Sequence, residues 1–115
     1  MTQIPNVPEV TLEIAPAKVV QIIYQFREGR AGGAELHGLI DGLNEDEKAH
    51  LTAIAWVGRG AFEPEDYAEA LRTYRSQSSV PTEDYLLGMP LLSENLEAGL
   101  EALGIDVTFE EEDLL

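Results

Sequence analysis

Proline and glycine residues divide this chain into short segments, and this punctuation constrains the fold more than any other feature. Pro16, Pro64 and Pro90 each open a segment whose apolar residues recur at helical spacing. The first position of a helix is where proline is best tolerated. Gly29 and Gly104 follow such segments, at the place where glycine commonly ends a helix. The pattern therefore predicts a series of short helices joined by short links.

The apolar residues in these segments recur every three or four positions, which favours helices with one buried face. One start is especially well marked, because Asn44 is followed three positions later by Glu47, the spacing of a capping box. The second predicted helix is short and the fifth is a single turn. The predicted helical segments, including these two short ones, span residues 16–28, 34–42, 45–57, 64–75, 82–87 and 90–103.

The sequence predicts an all-α fold, a small single-domain bundle of four to five helices. A length of 115 residues suits one domain with a modest core. Residues 10–14 alternate in the manner of a strand, but one strand without a partner does not make a sheet. We therefore expect an extended N-terminal arm over residues 1–14, a helical core over 15–104 and an acidic tail over 105–115.

Charge is distributed very unevenly along the chain. The net charge is −15, and residues 76–115 contain ten carboxylates and no lysine or arginine. Binding to nucleic acid or to anionic lipid depends on basic side chains that neutralise phosphates. The composition therefore argues against both ligands and favours a protein partner, one that is basic.

The sequence also indicates a compartment. There is no cysteine, which excludes disulfides and thiolate metal sites. The first residues lack the basic and apolar regions of a signal peptide, and no apolar run approaches the roughly 20 residues that span a bilayer. We expect a cytoplasmic protein.

The uncharged run at residues 85–92 is the strongest candidate for an interaction site. Gly88 and Pro90 interrupt it, so it is not expected to form one regular helix. Such a run either is buried between two helices or is exposed as an interface. A homodimer face would satisfy both descriptions, because it is exposed on one chain and buried between two copies. The candidate interaction residues are Tyr85, Leu86, Met89 and Leu91.

Glu47 and His50 have the Glu-x-x-His spacing that places two metal ligands on one helix face. Di-iron bundles use two such motifs with two further carboxylates, whereas this chain has one. The simpler interpretation is that Glu47 closes the capping box and His50 borders the core. We predict no catalytic residue and no cofactor, because none of the carboxylates, serines or histidines forms a recognisable catalytic arrangement.

Three functions are compatible with these features. The first is a non-enzymatic interaction or regulatory protein that uses its acidic surface and residues 85–92. The second is a metal-dependent protein or enzyme that uses Glu47 and His50. The third is a mimic of nucleic acid, which would require carboxylates ranged along one extended face.

Three segments carry a resemblance to a known family. They are residues 43–51 (LNEDEKAHL), 55–60 (AWVGRG) and 84–92 (DYLLGMPLL). In their order and spacing the chain resembles a family of small acidic bacterial proteins that is catalogued only as a domain of unknown function. The resemblance implies a bacterial cytoplasmic setting and no particular chemistry. His50 stands where the family pattern is acidic, so the resemblance implies no shared role for it.

Overall fold

The structure is a computed structural model, and it describes residues 11–30, 33–77 and 80–105. Within those ranges the regular elements are all helical, which confirms the predicted all-α fold. A π-helical turn at Phe26–Arg30 continues the first α-helix, and a 3₁₀ turn at Pro64–Asp66 precedes the fourth. The α-helices are α1 (Pro16–Gln25), α2 (Ala34–Asp41), α3 (Glu45–Arg59), α4 (Tyr67–Ser76), α5 (Thr82–Leu87) and α6 (Leu92–Ala102).

Helix α3 lies at the centre of the molecule. Every residue from 49 to 57 is buried, so the helix is enclosed over most of its length. It packs against α6, α4 and α5, and α1 covers another side of α6. Its start agrees with the prediction, because Asn44 and Glu47 form a complete capping box. Because α3 is surrounded in this way, it sets the positions of the helices that pack against it.

Helices α3 and α6 cross at unusually close range through two glycines. A Cβ atom added to Gly58 would lie 1.7 Å from the carbonyl oxygen of Asn95. One added to Gly99 would lie 2.0 Å from the carbonyl oxygen of Ile54. No real pair of atoms tolerates these distances, so both glycines are required for the two backbones to approach.

The leucine stripe of the last helix was predicted correctly. It forms one wall of a core to which α1 contributes valine and isoleucine side chains. Helix α2 packs on α5 and closes the opposite end of the core. The stripe consists of Leu92, Leu96, Leu100 and Leu103, all of them buried.

Four helix boundaries differ from the predictions by two residues or more. The fourth helix was predicted to begin at Pro64, but Pro64–Asp66 forms a 3₁₀ turn and α4 begins at Tyr67. Helix α3 ends at Arg59 instead of residue 57, because Gly60 adopts the left-handed conformation (φ 89°) while Gly58 stays helical against α6. The first helix changes to a π-helical turn at Phe26. The last helix begins at Leu92, because Pro90 lies in the preceding turn.

The ends of the chain lie largely outside the described ranges. Ile14, from the predicted arm, is buried in the core, and Leu12 packs against it. Residues 1–10 of that arm and residues 106–115 of the predicted tail are not described. None of the helices in the described ranges combines the length and the apolar character that crossing a bilayer requires.

Candidate functional site

The structure divides the candidate interaction residues between the core and the surface. Leu86 is fully buried and Met89 is 7% exposed, so neither can contact a partner in this conformation. Leu86 lies in the last turn of α5, and Met89 lies just after that helix. Tyr85 is 36% exposed and Leu91 is 57% exposed. The uncharged run is therefore divided, with Leu86, Met89 and Leu92 buried and the side chains of Tyr85, Pro90 and Leu91 exposed.

Tyr85 forms part of a groove between α3, α4 and α5. The aromatic end of the groove has a volume of about 230 Å³, and Val80, which is 55% exposed, stands at its edge. A second, charged end of about 330 Å³ shares four of the same lining residues, so the two ends are continuous. We call the whole the aromatic groove. Its aromatic end is lined by Thr52, Trp56, Tyr74, Gln77, Val80, Thr82 and Tyr85.

Two hydrogen bonds hold the aromatic end in shape. The indole N–H of Trp56 donates to the hydroxyl of Tyr85 at 2.8 Å, and the two rings meet edge to face, with centroids 6.3 Å apart. The hydroxyls of Tyr74 and Thr82 are 2.6 Å apart and also form a hydrogen bond. These bonds tie α3 and α4 to α5, so the aromatic side chains are fixed before any ligand arrives.

A buried hydroxyl at the aromatic end lacks a hydrogen-bond partner in the described part of the chain. It is Oγ1 of Thr52, whose residue is only 1% exposed. A buried polar group without a partner costs about 1–3 kcal/mol, so such groups are uncommon in native proteins. Here the hydroxyl belongs to a residue that lines a groove.

The charged end of the groove contains a second buried polar atom of this kind. Oε1 of Glu83 lacks a hydrogen-bond partner among the described residues, and Glu83 is only 8% exposed. The Lys48 ammonium lies 3.9 Å from this oxygen, close enough for charge attraction and too far for a hydrogen bond. Arg75, also at this end, is paired with Asp46 at 3.0 Å. Glu45 lies on the exposed edge.

The proposed metal ligand Glu47 is occupied by other contacts. One carboxylate oxygen accepts the backbone N–H of Asn44 at 2.9 Å, and the other accepts the Lys18 ammonium at 3.0 Å. The backbone N–H of Asn44 and the Lys18 ammonium keep the pKa of the Glu47 carboxyl below its usual value. These contacts would have to break before a metal could use both oxygens.

His50 lies in the core, where it contacts Tyr67. Its Nδ1 atom is 2.8 Å from the Tyr67 hydroxyl, and the residue is 4% exposed. Burial lowers the pKa of His50 and raises the pKa of Tyr67, so a neutral phenol and a neutral imidazole share this hydrogen bond. The described ranges contain no group of three or more histidine, aspartate or glutamate residues arranged to hold a metal.

Little in the sequence indicates the aromatic groove. Tyr85 is a candidate because it lies in an uncharged run. Trp56 is only 5% exposed although one side of it lines the groove. Tyr74 and Thr82 were assigned to separate helices. Because the lining comes from three helices and a link, no local spacing could have predicted it.

Comparison with known proteins gives one match. Residues 33–105 match the family model described as "Protein of unknown function (DUF3775)". No curated protein and no solved structure matches the chain. The matched residues include α2 to α6 and so contain the whole aromatic groove.

Proposed function

The chain belongs to the family described as "Protein of unknown function (DUF3775)", and from its surface we propose that it is a non-enzymatic interaction protein in the cytoplasm. Its partner in this proposal is a basic protein, held by the acidic surface and by exposed apolar side chains. A second copy of the chain is the alternative partner. The observation that carries the proposal is an excess of carboxylates that the chain's own basic residues cannot neutralise.

Ion pairs already occupy most of the basic side chains. Each pair joins a lysine or arginine to a carboxylate of the same chain, so the remaining carboxylates dominate the surface. With 22 acidic residues against seven basic ones, this excess draws a positively charged partner and speeds its encounter. The pairs are Lys18–Glu47, Arg27–Glu97, Lys48–Glu83, Arg72–Glu69 and Arg75–Asp46.

Charge alone gives little specificity, and the exposed apolar side chains supply the rest of the argument. Val80 and Tyr85 border the aromatic groove, and Leu91 lies in the turn before α6. Tyrosine is among the side chains that contribute most of the binding energy in protein interfaces, apolar neighbours help to exclude water from it, and charges at the rim mainly affect the association rate. An acidic field around a few apolar anchors is the composition expected of a docking surface for a basic segment.

The proposal is tested by affinity capture from a bacterial lysate at low and at high salt, read by mass spectrometry. Attraction between exposed charges is screened over about 10 Å at 0.1 M salt. We expect one partner to be held at about 0.05 M salt and released at about 0.5 M. An unrelated acidic protein of equal net charge serves as the control bait and should not retain this partner.

Two results would contradict the proposal. One is that nothing is captured at low salt beyond what the control bait holds. The other is that the retained protein is held equally well at both salt concentrations, since electrostatic docking must weaken when charges are screened. Capture of the chain by itself would identify the partner as a second copy.

A further inference from the structure

We propose that the aromatic groove binds the guanidinium group of an arginine side chain that the basic partner presents. This inference rests on the proposed function and names the site and the chemical group through which the partner docks. It is carried by three features that meet at one place, namely aromatic walls, buried acceptors without donors, and a small volume.

The aromatic walls suit a planar cation. Trp56, Tyr74 and Tyr85 line one end of the groove, and two hydrogen bonds to their polar atoms fix their rings. Aromatic faces attract cations, and a guanidinium group also stacks on them through its own flat surface. Arginine is therefore a better occupant of such a site than lysine.

The two buried polar atoms without partners can both accept hydrogen bonds from a ligand that donates them. Oγ1 of Thr52 and Oε1 of Glu83 are both buried without a hydrogen-bond partner in the described ranges. An ionised carboxylate can only accept, and Lys48 is too distant at 3.9 Å to donate to it. A guanidinium group carries five N–H donors in a fixed fork and can serve acceptors on more than one side. No other natural side chain combines so many donors with a flat face.

The charges around the groove also favour a cation. The two basic side chains at its charged end are Lys48 and Arg75. Each already faces a carboxylate, Glu83 for the first and Asp46 for the second. Glu45 on the exposed edge adds a further negative charge. The local balance is therefore acidic, within a molecule whose net charge is −15.

The size of the aromatic end suits a side chain. The two ends of the continuous groove measure about 230 and 330 Å³. Sites for drug-sized molecules and cofactors occupy roughly 300–1,000 Å³. The aromatic end, where the guanidinium group stacks in this proposal, lies below that range, and only the two ends together fall well within it. An extended side chain that enters past Val80 fits this space while its backbone remains outside.

The test uses three short peptides and the full chain. They are acetyl-Gly-Arg-Gly-amide, the same peptide with lysine, and the same peptide with citrulline, which is neutral and has nearly the shape of arginine. Trp56 is the only tryptophan, so its fluorescence reports directly on the groove. We expect a saturable change with the arginine peptide, affinity about ten-fold lower for the lysine peptide, and no saturation with the citrulline peptide.

Two pairs of variants test the site. Glu83→Gln removes the buried charge while keeping the shape, and Glu101→Gln removes an exposed carboxylate on α6 as its control. Tyr85→Ala removes an aromatic wall, and Tyr24→Ala, on α1 and outside the lining, is its matched control. We expect about ten-fold weaker arginine binding in each groove variant and less than two-fold change in each control. Thermal unfolding of each variant shows whether it is folded before it is titrated.

The inference is overturned if arginine and lysine peptides bind equally, or if Glu83→Gln and Glu101→Gln weaken binding by the same factor. In either case a captured, salt-sensitive partner would still support the proposed function, because general charge attraction would then hold it elsewhere. The converse outcome is also possible. If the groove variants abolish arginine binding but no partner is captured, the arginine site is confirmed and the proposed function is refuted.

Discussion

His50 shows how one residue type can suggest chemistry in the sequence and act structurally in the fold. Its spacing from Glu47 resembles half of a metal-binding motif. In the structure the two side chains make different contacts, because Glu47 caps the helix while His50 is hydrogen-bonded to Tyr67 inside the core. A buried neutral imidazole has a consequence that can be measured, since protonation must disturb its surroundings.

We expect the free energy of unfolding to fall as the pH is lowered from about 7 to about 5. Burial holds the pKa of His50 in the folded chain below its ordinary value of 6.5. The unfolded chain therefore binds a proton at higher pH than the folded chain does, and acid favours unfolding in this window. The stability that neutral His50 contributes is fully present above the ordinary pKa of histidine, and it is lost as the pH falls through the lower pKa of His50 in the folded chain. Urea unfolding at several pH values measures it.

The matched variant is His50→Gln, which removes the titrating group. Its stability should be lower than that of the wild type at about pH 7, because the buried hydrogen bond between the His50 ring and the Tyr67 hydroxyl is lost. Its loss of stability between about pH 7 and about pH 5 should nevertheless be smaller. Equal losses in the two proteins over this range would show that His50 is not the source of the pH dependence.

At the scale of the element, the contact between α3 and α6 depends on glycine. In a solvated helix, alanine is favoured over glycine by roughly 1 kcal/mol. Gly58 and Gly99 nevertheless occupy positions inside two helices, because each backbone lies against a carbonyl oxygen of the other helix. Here tertiary packing outweighs the local preference. The same packing explains why α3 continues through Gly58 and ends only after Arg59.

We expect Gly58→Ala to destabilise the fold by about 3 kcal/mol, the upper part of the usual range for overpacking. The added methyl group would lie 1.7 Å from the Asn95 carbonyl oxygen, so the two helices must separate. The control is Gly38→Ala in α2, where nothing lies within 4 Å of the added atom. That variant should gain about 0.5–1 kcal/mol from helix propensity. Urea unfolding of the two variants compares these effects, and a Gly58→Ala protein as stable as the wild type would refute the close contact.

The sequence predicted helix starts better than helix ends. The starts at Pro16 and Asn44 are set by local chemistry, namely a fixed proline φ and a capping box, and both were correct. The end of α3 is harder to predict, because either Gly58 or Gly60 could end a helix. Gly58 stays helical because α6 packs against it, so the position of α6 decides that the helix ends at Gly60. The change to a π-helical turn at Phe26 had no signal in the residue pattern.

The candidate site could be predicted only in part. Tyr85 and Leu91 were identified from an uncharged run, and both are exposed. Leu86 and Met89 belong to the same run, but both are buried in the core, Leu86 in the last turn of α5 and Met89 just after that helix. Thr52 looked like an ordinary helix residue, since its unpartnered hydroxyl becomes evident only in three dimensions.

At the scale of the whole molecule, the net charge of −15 acts on stability and on binding in opposite directions. Like charges on a compact surface repel each other, and this repulsion lowers the stability of the folded state. Added salt screens it, with a screening length of about 10 Å at 0.1 M. We therefore expect the melting temperature to rise when sodium chloride is increased from about 0.02 M to about 0.3 M. Over the same range, binding of a basic partner should weaken.

Two variants of α6 separate general repulsion from local effects. Glu94 lies in the first turn, Glu101 lies near the end, and the last turn contains no basic residue. Glu94→Lys and Glu101→Lys change the net charge equally, so both should reduce the salt-induced rise in melting temperature. Because the helix dipole favours cations at its C-terminal end, Glu101→Lys should be the more stable of the two by about 0.5–1 kcal/mol at low salt. A melting temperature that falls with salt in the wild type would show that repulsion between surface charges does not limit the stability of this fold. In that case, unfolding of the protein would be a second explanation for the loss of a captured partner at high salt.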